Sequence, residues 1–369
     1  MSALKTLKLH NFRCYDEMSF TDLSAGLIVL SGANGVGKTN ILEAISLLST
    51  GRGLRGARIM EIQKNDANKP WAVSGILQGN YGAEIRLGTG LDPKAMKQGT
   101  EKRIVRINGN NVKSQAALGE HLSCVWITPQ MDRLFMDSSK ERRKFLDRLI
   151  FAFDTGHSGR ITRYENALSQ RSKLLRDGKN DNAWLSGLEQ QMSEAGIAIA
   201  AARLDFTERL QSACIAADHS YFPLAKFRVK GSIEEQLGNA PALEIEYAFK
   251  YQLEQSRARD AITGGAASGV HKSDLEVIYA AKNMKADQCS TGEQKALLIG
   301  LILAHAQLIN SEHGKPPILL MDEVAAHLDD ARRGALYEIL QDIGAQAWLT
   351  GTQHNLFEAI EGKAQFYDL

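Results

Sequence analysis

Gly32-Ala33-Asn34-Gly35-Val36-Gly37-Lys38-Thr39 is a complete Gly-x-x-x-x-Gly-Lys-Thr loop. It follows an apolar run, Leu27 to Leu30, and precedes a helix-like segment, Asn40 to Leu48. A strand, a glycine-rich loop and a helix in that order wrap backbone amides and a positive helix end around a phosphate, while Lys38 supplies the neutralising charge. The expected ligand is a nucleotide with a β-phosphate, contacted by Gly32, Asn34, Gly35, Gly37, Lys38, Thr39 and Asn40. The Thr39 hydroxyl is the expected ligand of the Mg2+ that nucleotide phosphates bring with them.

Far downstream, the apolar run Ile318-Leu319-Leu320-Met321 ends in Asp322-Glu323. An acidic pair at the carboxyl end of a parallel strand faces the crevice where α/β folds bind ligands. Taken alone it is a solvated strand end. Coupled to Lys38 it supplies what nucleotide hydrolysis requires, with Asp322 on the ion side and Glu323 on the attacking water. Another strand, Ala345 to Leu349, leads into Thr350-Gly351-Thr352, where Thr352 either caps the strand end or senses the γ-phosphate. Ser290-Thr291-Gly292-Glu293 opens an apolar helix, Lys295 to Leu308. Ser290 and Glu293 have capping-box spacing, and a serine and glycine at a helix start also form an anion site; both readings hold at once.

Between these motifs the texture changes. Leu7 and Leu9 share a strand face with Leu4 out of phase, and Trp71 to Leu77, Gly82 to Leu87 and Ile104 to Ile107 read as strands, with a hairpin turn at Asn108-Gly109-Asn110. Pro129 ends the strand Cys124 to Ile127 and leaves Gln130 at a hinge. From Ser139 to about Leu210 helical periodicity dominates, whereas Leu243, Ile245, Tyr247 and Phe249 alternate as a strand would, within Ile233 to Tyr251. Gly264 to Gly269 is either a flexible link or a phosphate-contacting loop. The expected division is a head in two parts, residues 1–128 and 290–369, around an inserted, mostly helical lobe, 129–289.

The composition is that of an ordinary globular chain: 369 residues with 44 Lys plus Arg against 43 Asp plus Glu. A net charge of +1 favours no polyanion, so any nucleic-acid site depends on local clustering. The four cysteines, Cys14, Cys124, Cys214 and Cys289, contain no Cys-x-x-Cys pair, which removes the usual basis for a zinc site or disulfide framework. The N-terminus lacks a signal-peptide pattern and no apolar run approaches a span, so a cytoplasmic location is expected.

Leu7-x-Leu9-x-Asn11-Phe12-Arg13, the phosphate loop, Ser290-Thr291-Gly292-Glu293 and Asp322-Glu323 with Leu328-Asp329 together resemble the structural-maintenance-of-chromosomes-like ATPases of the ABC superfamily. The chain length, Arg142-Arg143-x-Phe145-Leu146-Asp147 and His271-Lys272-Ser273-Asp274 are similar to the bacterial recombination mediators within it. The resemblance implies an α/β head of SMC/Rad50 type that binds ATP and Mg2+ and sandwiches nucleotide between two copies. Lys38, Thr39, Asp322 and Glu323 then act in cis, Ser290 and Gly292 reach the partner's γ-phosphate, and Gln130 senses metal and water. It further implies a weak, DNA-stimulated ATPase that clamps double-stranded DNA near gaps in replication, recombinational repair and the SOS response, with mediators such as RecR as partners. Arg52, Arg55 and Arg58, and Lys140, Arg142, Arg143 and Lys144, are the candidate DNA-phosphate contacts, or else a solvated face with ion pairs to Glu141 and Asp147. The alternatives are an ATP-stabilised interaction module that binds no DNA and a transporter's ATPase subunit. Two departures stand out: Thr350-Gly351-Thr352 where such ATPases usually carry histidine, and Ala326-His327 where serine and glutamate are usual.

Overall fold

The computed structural model describes residues 3–78, 83–178, 181–217 and 221–369. Two compact units emerge, one mainly from residues up to Asp132 and from Leu298 onward, the other mainly from Arg133 to Leu297.

The first unit holds two sheets. A five-stranded, all-parallel sheet runs in the order Ala364–Asp368, Leu27–Ser31, Ala347–Gly351, Ile318–Met321, Cys124–Ile127. The strands Leu27–Ser31, Ile318–Met321 and Ala347–Gly351 are buried throughout, which is why they read as continuous apolar runs rather than alternating ones. A six-stranded antiparallel sheet starts from Tyr15–Phe20 and Ala3–Phe12, continues through Ala72–Gln78, Glu84–Leu91 and Arg103–Ile107, and ends at Asn110–Asn111. Gly82, the expected start of one of these strands, lies outside the described residues, as does Met1. The hairpin at Asn108-Gly109 forms as expected, both residues having positive φ, 50° and 84°. Leu7, Leu9, Ile28, Ile41, Ile45 and Trp71 share one core, so the helix Lys38–Ser46 is seated on apolar contacts from both sheets.

Leu4 is buried although its sequence phase is wrong. The register shifts between Leu4 and Thr6, a β-bulge that returns Leu4 to the inner face. The Gln346 side-chain amide takes up both Leu4 backbone groups there, accepting from its N–H at 3.0 Å and donating to its carbonyl at 2.9 Å. A buried backbone pair lost to the ladder is thereby satisfied.

The second unit contains the helices Ser139–Ile150, His157–Arg176 and Asn182–Ala217 and a three-stranded antiparallel sheet of Met284–Lys285, Asp274–Tyr279 and Ala225–Lys230. Ile233 to Tyr251 is not strand but helix, Ser232–Leu237 and Ala242–Gln255. Ile245, Phe249 and Leu253 form its buried stripe at helical spacing, while Leu243, Tyr247 and Tyr251 are each at least 60% exposed on another stripe. Two stripes offset by two residues imitate alternation.

Candidate nucleotide site

The phosphate loop leaves the carboxyl end of Leu27–Ser31 and enters the helix at Lys38. Gly37 has φ 112°, and a Cβ there would collide with the Tyr15 hydroxyl and stand 2.8 Å from Cys14 Sγ, so glycine is required for conformation and space alike. Lys38 is buried, its ammonium donating to the carbonyls of Gly32 at 2.7 Å and Ala33 at 2.9 Å. Ala33, Asn34 and Gly35 are exposed. The loop is braced from outside: Tyr15 donates to the Val36 carbonyl at 3.3 Å, Asn40 donates to Cys14 Sγ, and Arg13 forms a bidentate pair with the buried Glu43 at 2.6 and 2.8 Å.

Register brings the acidic centre together. Met321 stands opposite Leu349 and Ile127, and Thr350 opposite Leu30, so the next residue of each strand reaches one level at the carboxyl edge. Asp322 therefore accepts from the Thr39 hydroxyl at 2.9 and 3.0 Å and from the Thr350 hydroxyl at 2.9 Å. Burial pushes its carboxyl above the ordinary value, against the downward pull of the two hydroxyls. Glu323 has φ 55°, a left-handed conformation that costs a bulky residue about 1–2 kcal/mol. Its N–H is held by the Thr350 oxygen at 2.9 Å, so one threonine fixes both acids. Sequence reasoning favoured Thr352, which is exposed and has no side-chain hydrogen bond among the described residues. The order of strands in the sheet, absent from one sequence, was the missing information for Thr350. Gln130 sits exposed in the turn Pro129–Arg133 just past Ile127, on the neighbouring strand to Asp322.

Ser290 and Glu293 form the expected capping box: Glu293 accepts from the Ser290 N–H at 2.9 Å and hydroxyl at 2.8 Å, and its own N–H points to the Ser290 oxygen at 3.4 Å. An ion pair with Lys282, reinforced by these bonds, holds the Glu293 carboxyl down at about 2. Ser290, Thr291 and Gly292 are exposed, with nothing within 4 Å of a Cβ on Gly292. Asp329 caps the next helix, accepting from the Arg332 N–H at 2.8 Å, while Ala326 and His327 are exposed.

The basic candidates divide. Arg52, Arg58 and Lys140 are exposed. Arg55 is instead tied to Asn40 at 2.8 Å and Glu43 at 2.9 Å, beside the phosphate loop. Arg142 is a bidentate partner of Asp274 at 2.7 Å, and Arg143 donates to the Ser273 carbonyl, so the two motifs flanking the helical lobe clasp each other. Arg55, Arg142 and Arg143 are therefore each engaged by acceptors within the chain. Lys144 pairs with Glu141 at 2.7 Å as expected, but Asp147 pairs with Arg203 and His157.

A phosphate loop and a strand-end acid pair on the parallel sheet, in a chain that also carries a helix-start signature, define a P-loop ATPase head of SMC type. The model for the RecF/RecN/SMC N-terminal domain matches residues 3–367. The DNA replication and repair protein RecF of Mesorhizobium japonicum is 44% identical over 98% of this chain and 95% of its own, and that of Brucella suis 44% over 100% and 94%. The solved recombination mediator protein RecF-ATPrS of the RecFOR pathway shares the fold, with TM-score 0.83 and 24% identity over 96% of this chain and 94% of its own. The Smc head of Pyrococcus furiosus aligns less well, at 0.51 and 18%, over 97% and 92%. The chain belongs to the RecF family.

Proposed function

We propose that two copies of this chain, each holding ATP, close as a clamp on double-stranded DNA near single-strand gaps and help partner mediators such as RecR to load recombinase. A role as an ATP-dependent DNA-binding protein of replication and repair follows from membership of the RecF family. The observation that carries the mechanism is the Thr39–Asp322–Thr350 hydroxyl relay beside the buried Lys38. The residues fit the cofactors: the ammonium lies inside a glycine loop whose outer amides face solvent, and Thr39 and Asp322 together supply hard oxygen donors suited to Mg2+. Asp322 and Thr39, with Gln130, would hold that ion, which neutralises phosphate charge when bound.

Lys38 and the loop amides orient the phosphates, and Glu323, aimed by the Thr350 bond to its N–H, takes the proton of the attacking water. The exposed Ser290 and Gly292 reach the partner's nucleotide, the helix start offering amides to the γ-phosphate. Arg52, Arg58 and Lys140 are the better candidates for backbone contacts to DNA, without sequence preference. No described helix is long and apolar enough to cross a membrane, in keeping with a cytoplasmic site of action. Sedimentation velocity without nucleotide, with ADP, and with ATP plus Mg2+ tests the closure: ATP is expected to double the mass, and one mass in all three conditions overturns the dimer.

A further inference from the structure

The helical lobe contains an open hollow of ≈ 680 Å³ with no part in the nucleotide chemistry. Its volume lies within the range of small-ligand sites. Thr263 to Ala267 form one wall, Leu168 and Ser172 another, and Arg259, His271 and Lys272 complete the lining.

Three features of this lining converge on one ligand chemistry. The first is charge, because no lining residue is acidic. Lys272 is exposed and makes no ion pair among the described residues, and Arg259 is 61% exposed with its nearest carboxylate, Asp260, 3.8 Å away. Asp260 Oδ2 is taken by the buried Arg171 at 2.9 Å and by Ser256 at 2.6 Å, while its buried Oδ1 has no hydrogen-bond partner among the described residues. The second is donors. The backbone N–H groups of Gly265, Ala266 and Ala267 meet no acceptor among the described residues, nor does the Ser172 hydroxyl. That hydroxyl lies 3.8 Å from where a Cβ on Gly265 would begin, so it borders the same stretch of loop.

The third is rigidity. His271 Nε2 stands 2.9 Å from the Ala266 carbonyl and therefore carries the proton, which leaves Nδ1 to accept from the Tyr164 hydroxyl at 2.7 Å. Burial keeps this imidazole below its ordinary pKa, with Lys272 and Arg143 adding to the effect. The loop is thus pinned through a carbonyl, by a neutral ring, while the neighbouring amides remain unsatisfied. Consecutive free amides beside two cations and a hydroxyl suit a tetrahedral oxyanion and nothing cationic.

We propose that this hollow binds a phosphate group, separately from the nucleotide loop. The group is either a phosphodiester of nucleic acid or the phosphate of a small molecule, which share this chemistry. The probe is inorganic phosphate, followed by 31P line broadening with full-length Lys38→Met protein so that the nucleotide loop contributes little. Saturable broadening is expected, weakened about tenfold by Arg259→Gln with Lys272→Gln, both exposed changes, and unaffected by exchange of the exposed Lys97 for glutamine elsewhere on the surface. Displacement by a duplex oligonucleotide assigns the site to nucleic acid, and displacement by pyrophosphate but not duplex assigns it to a small molecule. No broadening, or broadening that the paired exchange leaves unchanged or that Lys97→Gln lowers equally, overturns the proposal.

Discussion

Two buried cations, Lys38 in the head and Arg171 in the helical lobe, are held in opposite ways. Among the described residues Lys38 meets only backbone carbonyls, those of Gly32 and Ala33. Arg171, fully buried, meets two carboxylates, Glu189 and Asp260, each at 2.9 Å, and the Leu253 carbonyl at 2.6 Å. The acids follow the same division: Asp322 is held by two threonine hydroxyls, whereas Asp147 is neutralised by Arg203 and hydrogen-bonded by His157. Opposite charges cancel and fix a fold; neutral dipoles orient a charge and leave it for a ligand. In these four residues the head orients its charges with neutral dipoles, and the lobe pairs its own with opposite charges.

Exchanging the two cations for methionine gives the largest expected contrast. Arg171→Met strands two buried carboxylates and should lower unfolding stability by about 3–5 kcal/mol, with nucleotide affinity unchanged in the molecules that remain folded. Lys38→Met should do the reverse, weakening nucleotide binding by about 3 kcal/mol, roughly 100-fold, at a nearly unchanged melting temperature. Chemical denaturation and titration with a fluorescent ATP analogue separate the outcomes, and equal effects on both readouts would break the contrast.

Glu323→Gln keeps the shape of the site and removes its base, so hydrolysis should fall about 10²- to 10⁴-fold while ATP still binds and the dimer persists. A Glu323→Gln protein that hydrolyses ATP at the unmodified rate rules out this residue as the base. Thr350→Val removes a donor to Asp322 and an acceptor for the Glu323 N–H, a loss of about 1–2 kcal/mol that should appear as a roughly tenfold lower kcat with little change in KM. Thr350→Ser restores both bonds and should recover most of the rate; if valine and serine behave alike, the hydroxyl does not position the acids.

The smallest effect lies at the signature helix. Its Glu293 carboxyl is held at about 2 in the folded chain against an ordinary 4.5. The folded value is the lower one, so its contribution is complete above pH 4.5 and is lost as pH falls towards 2. The melting-temperature difference between the protein and Glu293→Gln should be flat from pH 8 to 5 and shrink below 4.5. A difference that changes between pH 8 and 5 would mean that another group controls this cap.

The head was legible in the sequence because its catalytic strands are short, wholly apolar and ended by motif residues: Ile318–Met321 and Cys124–Ile127 fall where expected. The helix Ala242–Gln255 was not, since its buried and exposed stripes are offset by two residues and mimic a strand; Pro241 at its N-terminus was the available signal. Thr350 and the Arg142–Asp274 clasp depend on which distant segments meet, 132 residues apart in the second case. Local pattern carries no record of such pairings, so it offers Glu141 and Asp147 as ion-pair partners and not Asp274.

Whether ATP gates DNA binding is read by fluorescence anisotropy of a gapped duplex across a salt series without nucleotide, with ADP, and with ATP plus Mg2+. Tight binding is expected with ATP plus Mg2+ and in neither other condition, weakening steeply with salt and absent in Lys38→Met. Binding indifferent to nucleotide, or no binding under any of these conditions, would contradict it.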